Sequence, residues 1–177
     1  TASYSYGRIK VVDGPSEDFD VKGHSQYLSL RLDHPLYVTS ASKLTGYLQA
    51  ARQTSETEMF NVLTVSDTSV KSLTAGLEQL WLKEGMTLYA NGQYIESWLK
   101  DYIFDNASRY RRLTGYLTWD HRLWKNWGYT VNAGAQRYLG GGEMASGDSF
   151  YLGTSSGVRG YENDTISAYN GAWINLE

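Results

Sequence analysis

The stretch "SSGVRGYEND", residues 155–164, presents one arginine, Arg159, between Gly157-Val158 and Gly160-Tyr161. Glycine on both sides lets the planar guanidinium fork approach a carboxylate unobstructed, and Tyr161 could stack on its face. Withdrawn from bulk water, such a cation needs a partner. Its natural chemistry is then a bidentate pin that fixes a loop to a wall. The tetrapeptide by itself reads equally well as an exposed glycine-rich tip.

Other reactive residue types are present without the company they need. His24, His34 and His121 are scattered and there is no cysteine, so neither a metal site nor a disulfide scaffold is expected. A single histidine in such a chain reads as a hydrogen bonder at a strand end. "YLGGGEMASGD" is glycine-rich like a phosphate cradle but lacks the Lys-Ser/Thr ending and a following helix. No GxSxG elbow occurs, and Pro35 in "HPL" removes a ladder donor, which suits the end of a strand. Glu78, Glu96, Asp120 and Glu177 read as carboxylates of a solvated pore lining, or one of them as the partner of Arg159. No catalytic residues, no enzyme activity, no cofactor and no metal are expected.

The elements that would carry these residues have period two. In "SQYLSLRLD", Leu28, Leu30 and Leu32 share one face and Tyr27, Ser29, Arg31 and Asp33 the other. "RLTGYLTWD", "YTVNAGAQRY" and "NGAWINLE" alternate likewise. The pattern predicts strands over 2–12, 22–34, 42–54, 69–82, 86–99, 108–122, 128–138 and 169–177. Most exceed the ordinary globular length of about 5–6 residues and reach the roughly 9–11 tilted residues that cross a bilayer. "HPLYVTSAS", "KEGM" and "KNWG" make short turns; "DGPSEDFD", "SETEMFNVLTVSD", "KDYIFDNA" and the stretch from about 139 to 168 make longer polar loops. Short turns at one end and long loops at the other is the signature of a transmembrane β-barrel. Tyr37, Trp81, Trp98, Tyr102, Trp124, Trp127 and Tyr138 would form its aromatic girdles. A soluble antiparallel sheet with one wet face shares the alternation, and Gln79 on the face of Leu73, Ala75, Leu77 and Trp81 favours that alternative.

Composition agrees with the barrel. Of 177 residues 14% are aromatic, with 15 Tyr and 6 Trp against 4 Phe, types whose apolar bodies and polar tips suit a lipid–water boundary. The formal charge of −3 gives no global basic field, so nucleic acid is not an expected partner. No apolar run approaches 18 residues, and "TASYSYGRIK" has no signal-peptide core.

The segment from Phe150 to Glu177 resembles the motif region of the two-partner secretion transporters, the TpsB or haemolysin secretion/activation (ShlB/FhaC/HecB) family. Leu152 and Gly153 match its "LG", Val158, Arg159, Gly160 and Tyr161 its "VRGY", and Gly171 and Glu177 the strand that follows. Thr154 replaces a second glycine, and "SAYNG" stands where the family has "SGDxG". "LDHPLY" and "GYLTWDHRL" are looser similarities upstream.

The resemblance implies an all-β fold, a 16-stranded antiparallel outer-membrane barrel behind two periplasmic POTRA domains. The motif loop, the sixth extracellular one, folds into the pore, and its arginine pairs with a wall aspartate on a later strand. Residues 1–177 would be part of one barrel domain, strands five to twelve, without the POTRA domains, the early strands and the last four. Leu152, Gly153, Glu162, Gly171 and Glu177 would support the loop. The implied function is export of a large partner, a TpsA-like adhesin, haemolysin or toxin, through a monomeric barrel in the lipid of a Gram-negative outer membrane. A barrel-insertion factor of the same superfamily and a self-contained small barrel, enzyme or ligand binder, are the alternatives.

Overall fold

The computed structural model describes residues 1–10, 20–60, 63–124, 127–152 and 166–177. Eight long or medium strands form one antiparallel meander: β1 (Ala2–Lys10), β2 (Lys22–Val38), β3 (Ser42–Met59), β4 (Leu63–Lys83), β5 (Met86–Asp101), β6 (Asn106–Trp124), β7 (Trp127–Gly141) and β10 (Gly171–Leu176). Each pairs with its neighbour in chain order, except that β7 pairs with β10 across an excursion containing a small hairpin, β8 (Phe150–Leu152) and β9 (Ile166–Ala168). β1 and β10 are the two edges of the sheet.

All eight expected strands form, and most run longer than their apolar alternation. β3 continues to Met59 and β4 begins at Leu63, so most of "SETEMFNVLTVSD" is ladder rather than loop. Likewise β5 reaches Asp101 and β6 starts at Asn106, leaving a four-residue turn. Asp101 Oδ1 closes that turn by accepting the amides of Ile103 (2.9 Å) and Phe104 (3.1 Å). Hairpin arms with both faces in water carry no hydrophobic contrast, so period two vanishes from the sequence while the hydrogen-bond ladder persists. The difference between the two ends lies in strand extension, not in coil.

Direct cross-strand partners share a face, and the register sorts the side chains cleanly. Leu28, Leu30, Leu32, Leu48, Leu73, Leu77, Leu113, Ile174 and Leu176 all point outward and are exposed, Leu32 by 65%. In water each would forgo about 1.5–3 kcal/mol of burial; against acyl chains it forgoes little. The opposite face carries Ser29, Arg31, Tyr47, Gln49, Thr74, Glu78, Gln93, Ser97, Tyr110, Thr114 and Gln136. Burial falls on this polar face: Tyr110 is 0% exposed, and Tyr47, Ser97, Thr74 and Gln136 are also buried. That inversion is the mark of a barrel wall between lipid and water and removes the soluble-sheet alternative. Gln79 is outward but satisfied at the short-turn end, donating to Ser42 Oγ (2.8 Å) and the Leu80 carbonyl (3.1 Å).

The inner face is tied laterally. Tyr47 Oη donates to Gln93 Oε1 (2.7 Å), and Gln93 Nε2 to Thr114 Oγ1 (2.8 Å). Arg31 lies over the Tyr47 ring at 3.8 Å and bonds Glu78 Oε1 (2.8 Å) and Asp33 Oδ1 (2.7 Å). These links span β2 to β6 and hold polar groups away from lipid.

Candidate functional site

The excursion between β7 and β10 folds onto the polar face. Its entry depends on Gly140 and Gly141, with φ of 101° and 119°. At Gly141 a Cβ would run into the Arg109 carbonyl, so only glycine turns the chain over the rim here. The register slips beside it, between Arg111 and Arg112, which bends the strand. Three bonds then hold the entry down. The Gly142 amide donates to the Arg109 carbonyl (2.7 Å), Tyr138 Oη donates to the Gly142 carbonyl (2.6 Å), and Ser108 Oγ donates to the Glu143 carbonyl. Met144 is buried beneath.

A 3-10 turn, Ser146–Asp148, delivers one carboxylate to the wall. Asp148 Oδ1 meets Arg112 Nη2 at 2.6 Å, and Oδ2 accepts from Tyr110 Oη at 2.5 Å. The Asp148 carbonyl accepts from Arg112 Nη1 (2.8 Å) and Gln136 Nε2 (2.9 Å). Arg112 thus spends both terminal nitrogens on one residue, a forked geometry that lysine cannot reproduce. The two side chains are 15% and 22% exposed, and breaking a buried pair by removing one partner costs about 3–5 kcal/mol, less where water still reaches it.

Phe150, also buried, seats its ring on Gly171, where any Cβ would overlap it. On the far side of the excursion, Asn170 Oδ1 accepts the Tyr138 amide (2.7 Å), and the Tyr138 and Tyr169 rings lie 5.1 Å apart. β8 and β9 pair from Phe150↔Ala168 to Leu152↔Ile166, a stalk standing on this base. Between the loop base and the inner wall of β3–β5 lies a cleft of about 620 Å³, bordered by Gln53, Ser55, Thr68, Asp101, Glu143 and Ser146.

Of the residues expected at this site, Leu152 lies in β8 on the stalk, Gly171 opens β10 under Phe150, and Glu177 exchanges backbone bonds with Thr130 at 3.0 Å. Val158, Arg159, Gly160, Tyr161, Glu162 and Gly153 lie outside the described residues.

Two expectations change. Glu96 is not a pore carboxylate: it faces outward between Ile95 and Ser97, which point inward, and holds Arg109 (2.7 Å). Tyr138 is not a girdle residue, because its partner Arg112 places it on the inner face, where it braces the loop. Glu78 and Asp120 line the inner face, the placement expected of pore-lining carboxylates, and there Arg31 and Thr130 engage them. His121 bonds Tyr129 Oη (3.1 Å) and His24 approaches Tyr6 Oη (3.4 Å), the strand-end role anticipated.

Sequence reasoning missed the Arg112–Asp148 pair. Parity held a signal: in "RYRRL", Arg112 alone of the three arginines falls opposite the face of Leu113 and Leu117. Asp148, in "SGDS", had none.

The family model of the haemolysin secretion/activation protein ShlB/FhaC/HecB matches residues 1–177. No curated protein sequence matches significantly. Among solved structures, CdiB from Acinetobacter baumannii is similar at a TM-score of 0.77 and 19% identity, over 99% of this chain and 33% of its own. CdiB from Escherichia coli is similar at 0.80 and 16%, over 99% and 34%. The chain therefore spans about a third of the solved structures it matches. With a match along its whole length and a wall divided between lipid and water, the chain belongs to the ShlB/FhaC/HecB family, β-barrel proteins of the Gram-negative outer membrane.

Proposed function

We propose that the chain is the central part of a two-partner secretion pore, which exports one large TpsA-like protein in an unfolded state. The observation that carries this reading is the loop base clamped to the polar wall by Arg112, Tyr110 and Gln136 through Asp148. A polar bore with satisfied backbone gives an extended chain a path through the membrane. An inward loop held at its base sets the bore's resting shape. No bond is made or broken, so no catalytic residue is assigned; export is driven by the partner folding outside. The complete barrel would have 16 strands and act as a monomer, with Arg159 as a second anchor pairing with a wall aspartate and Tyr161, Gly160 and Glu162 around it. The insertion-factor reading has no observation of its own here. The self-contained small barrel is disfavoured, since among the described residues β1 and β10 are separate edges and the strands do not close on one another.

The test uses the whole transporter with its secreted partner. Asp148→Asn, Arg112→Gln and Arg159→Ala should each lower secretion several-fold at normal outer-membrane abundance. Asp148→Asn should also raise resting conductance in planar bilayers. Unchanged secretion and conductance in all three would refute the clamped-loop pore.

A further inference from the structure

The outward face carries a charge pattern that a lipid-facing wall does not need. One cross-strand row reads Arg52, Lys71, Trp98, Arg109 across β3 to β6. Arg111 follows one row toward the membrane, opposite Glu96, and Arg137 one further, opposite Leu113. All five cations are exposed. Among the described residues, Glu96 is the one carboxylate paired with any of them, and it is engaged by Arg109. The chain as a whole carries −3, so this positive strip is segregated charge.

Arg52 and Lys71 are direct cross-strand partners. Like charges directly opposite are destabilising, and the next acids on these strands, Glu56 and Asp67, face each other four residues farther out. An external anion between the two cations would remove the repulsion.

The same place has a groove. A cavity of about 710 Å³ on the outward face is lined by Leu28, Leu30, Ala50, Leu73 and Trp98, and Arg52 and Lys71 border it. Apolar floor and cationic edge together fit an amphiphile with a phosphorylated head. The strip lies toward the long-hairpin end of the wall, where extracellular loops are found, and so toward the outer leaflet.

We propose that this groove binds the lipid A part of lipopolysaccharide. Its phosphates sit on Arg52 and Lys71, with Arg109 and Arg111 beside them, and its acyl chains lie along Leu28, Leu30 and Leu73. Arginine suits phosphate through paired N–H donors, and Trp98 sits at the depth of the interface. The inference needs the barrel reading but not secretion, so the two can fail separately.

The test is native mass spectrometry of the whole transporter in detergent with bisphosphorylated lipid A, and competition by phosphatidylglycerol and inorganic phosphate. Wild type should retain lipid A, and Arg52→Gln/Lys71→Gln should weaken retention by about tenfold or more, with heat-modifiability confirming a folded barrel. Lipid A stripped of its phosphates should bind wild type at least as weakly. Equal retention by the double variant, equal binding of dephosphorylated lipid A, or equal competition by phosphatidylglycerol or inorganic phosphate would overturn the proposal.

Discussion

Gly171 shows how much one missing side chain can matter. It pairs with Gln136 on the inner face and leaves its Cα bare for the Phe150 ring. Gly171→Val should displace Phe150 and loosen the loop base while β10 still pairs with β7. Limited proteolysis of the whole transporter should then cut the excursion several-fold faster, with heat-modifiability kept; an unchanged cleavage rate would count against the seat. At this scale the sequence was partly legible. Gly171 was singled out through a family pattern, yet the reason for it, an aromatic ring 21 residues upstream in the chain, is a tertiary contact that no local spacing reports. Asp148 is the sharper case, since a lone acid in a turn is ordinary until Arg112 is brought to it.

At the scale of the strand, alternation is the whole code. Leu77 and Ser72 stand on opposite faces of β4. Leu77→Lys should cost about 2–4 kcal/mol at mid-bilayer, whereas Ser72→Lys should cost little. Unfolding of the reconstituted transporter in urea checks this; equal losses would mean that both faces see the same medium. Strand existence was readable because lipid and water write opposite residue types on alternate positions. Strand ends were not, because beyond the membrane both faces carry polar residues, Ser55, Thr57 and Ser66 inward and Thr54, Glu56 and Asp67 outward. The β8–β9 stalk was invisible for a related reason: three residues are too few to show a period.

At the scale of the molecule, the sheet has two open edges, β1 and β10. Unpaired edges are costly in hydrocarbon, where backbone groups have no water to bond. The segment 1–177 expressed alone should therefore fail to give a heat-modifiable monomer in detergent. Recovery of one would favour a self-contained barrel. Fold class followed from alternation and loop asymmetry, but the inward loop did not, since nothing in a glycine-rich stretch says which side of a wall it lies on.

The clamp residues Tyr110, Arg112 and Gln136 all stand on β6 and β7, the two strands that immediately precede the excursion. The tether therefore closes over a short contour of chain and asks nothing of β1 to β5. Neighbouring strands can dock the loop base as soon as they zip together, early in assembly. Arcs farther round the wall remain at liberty to flex without tugging on it.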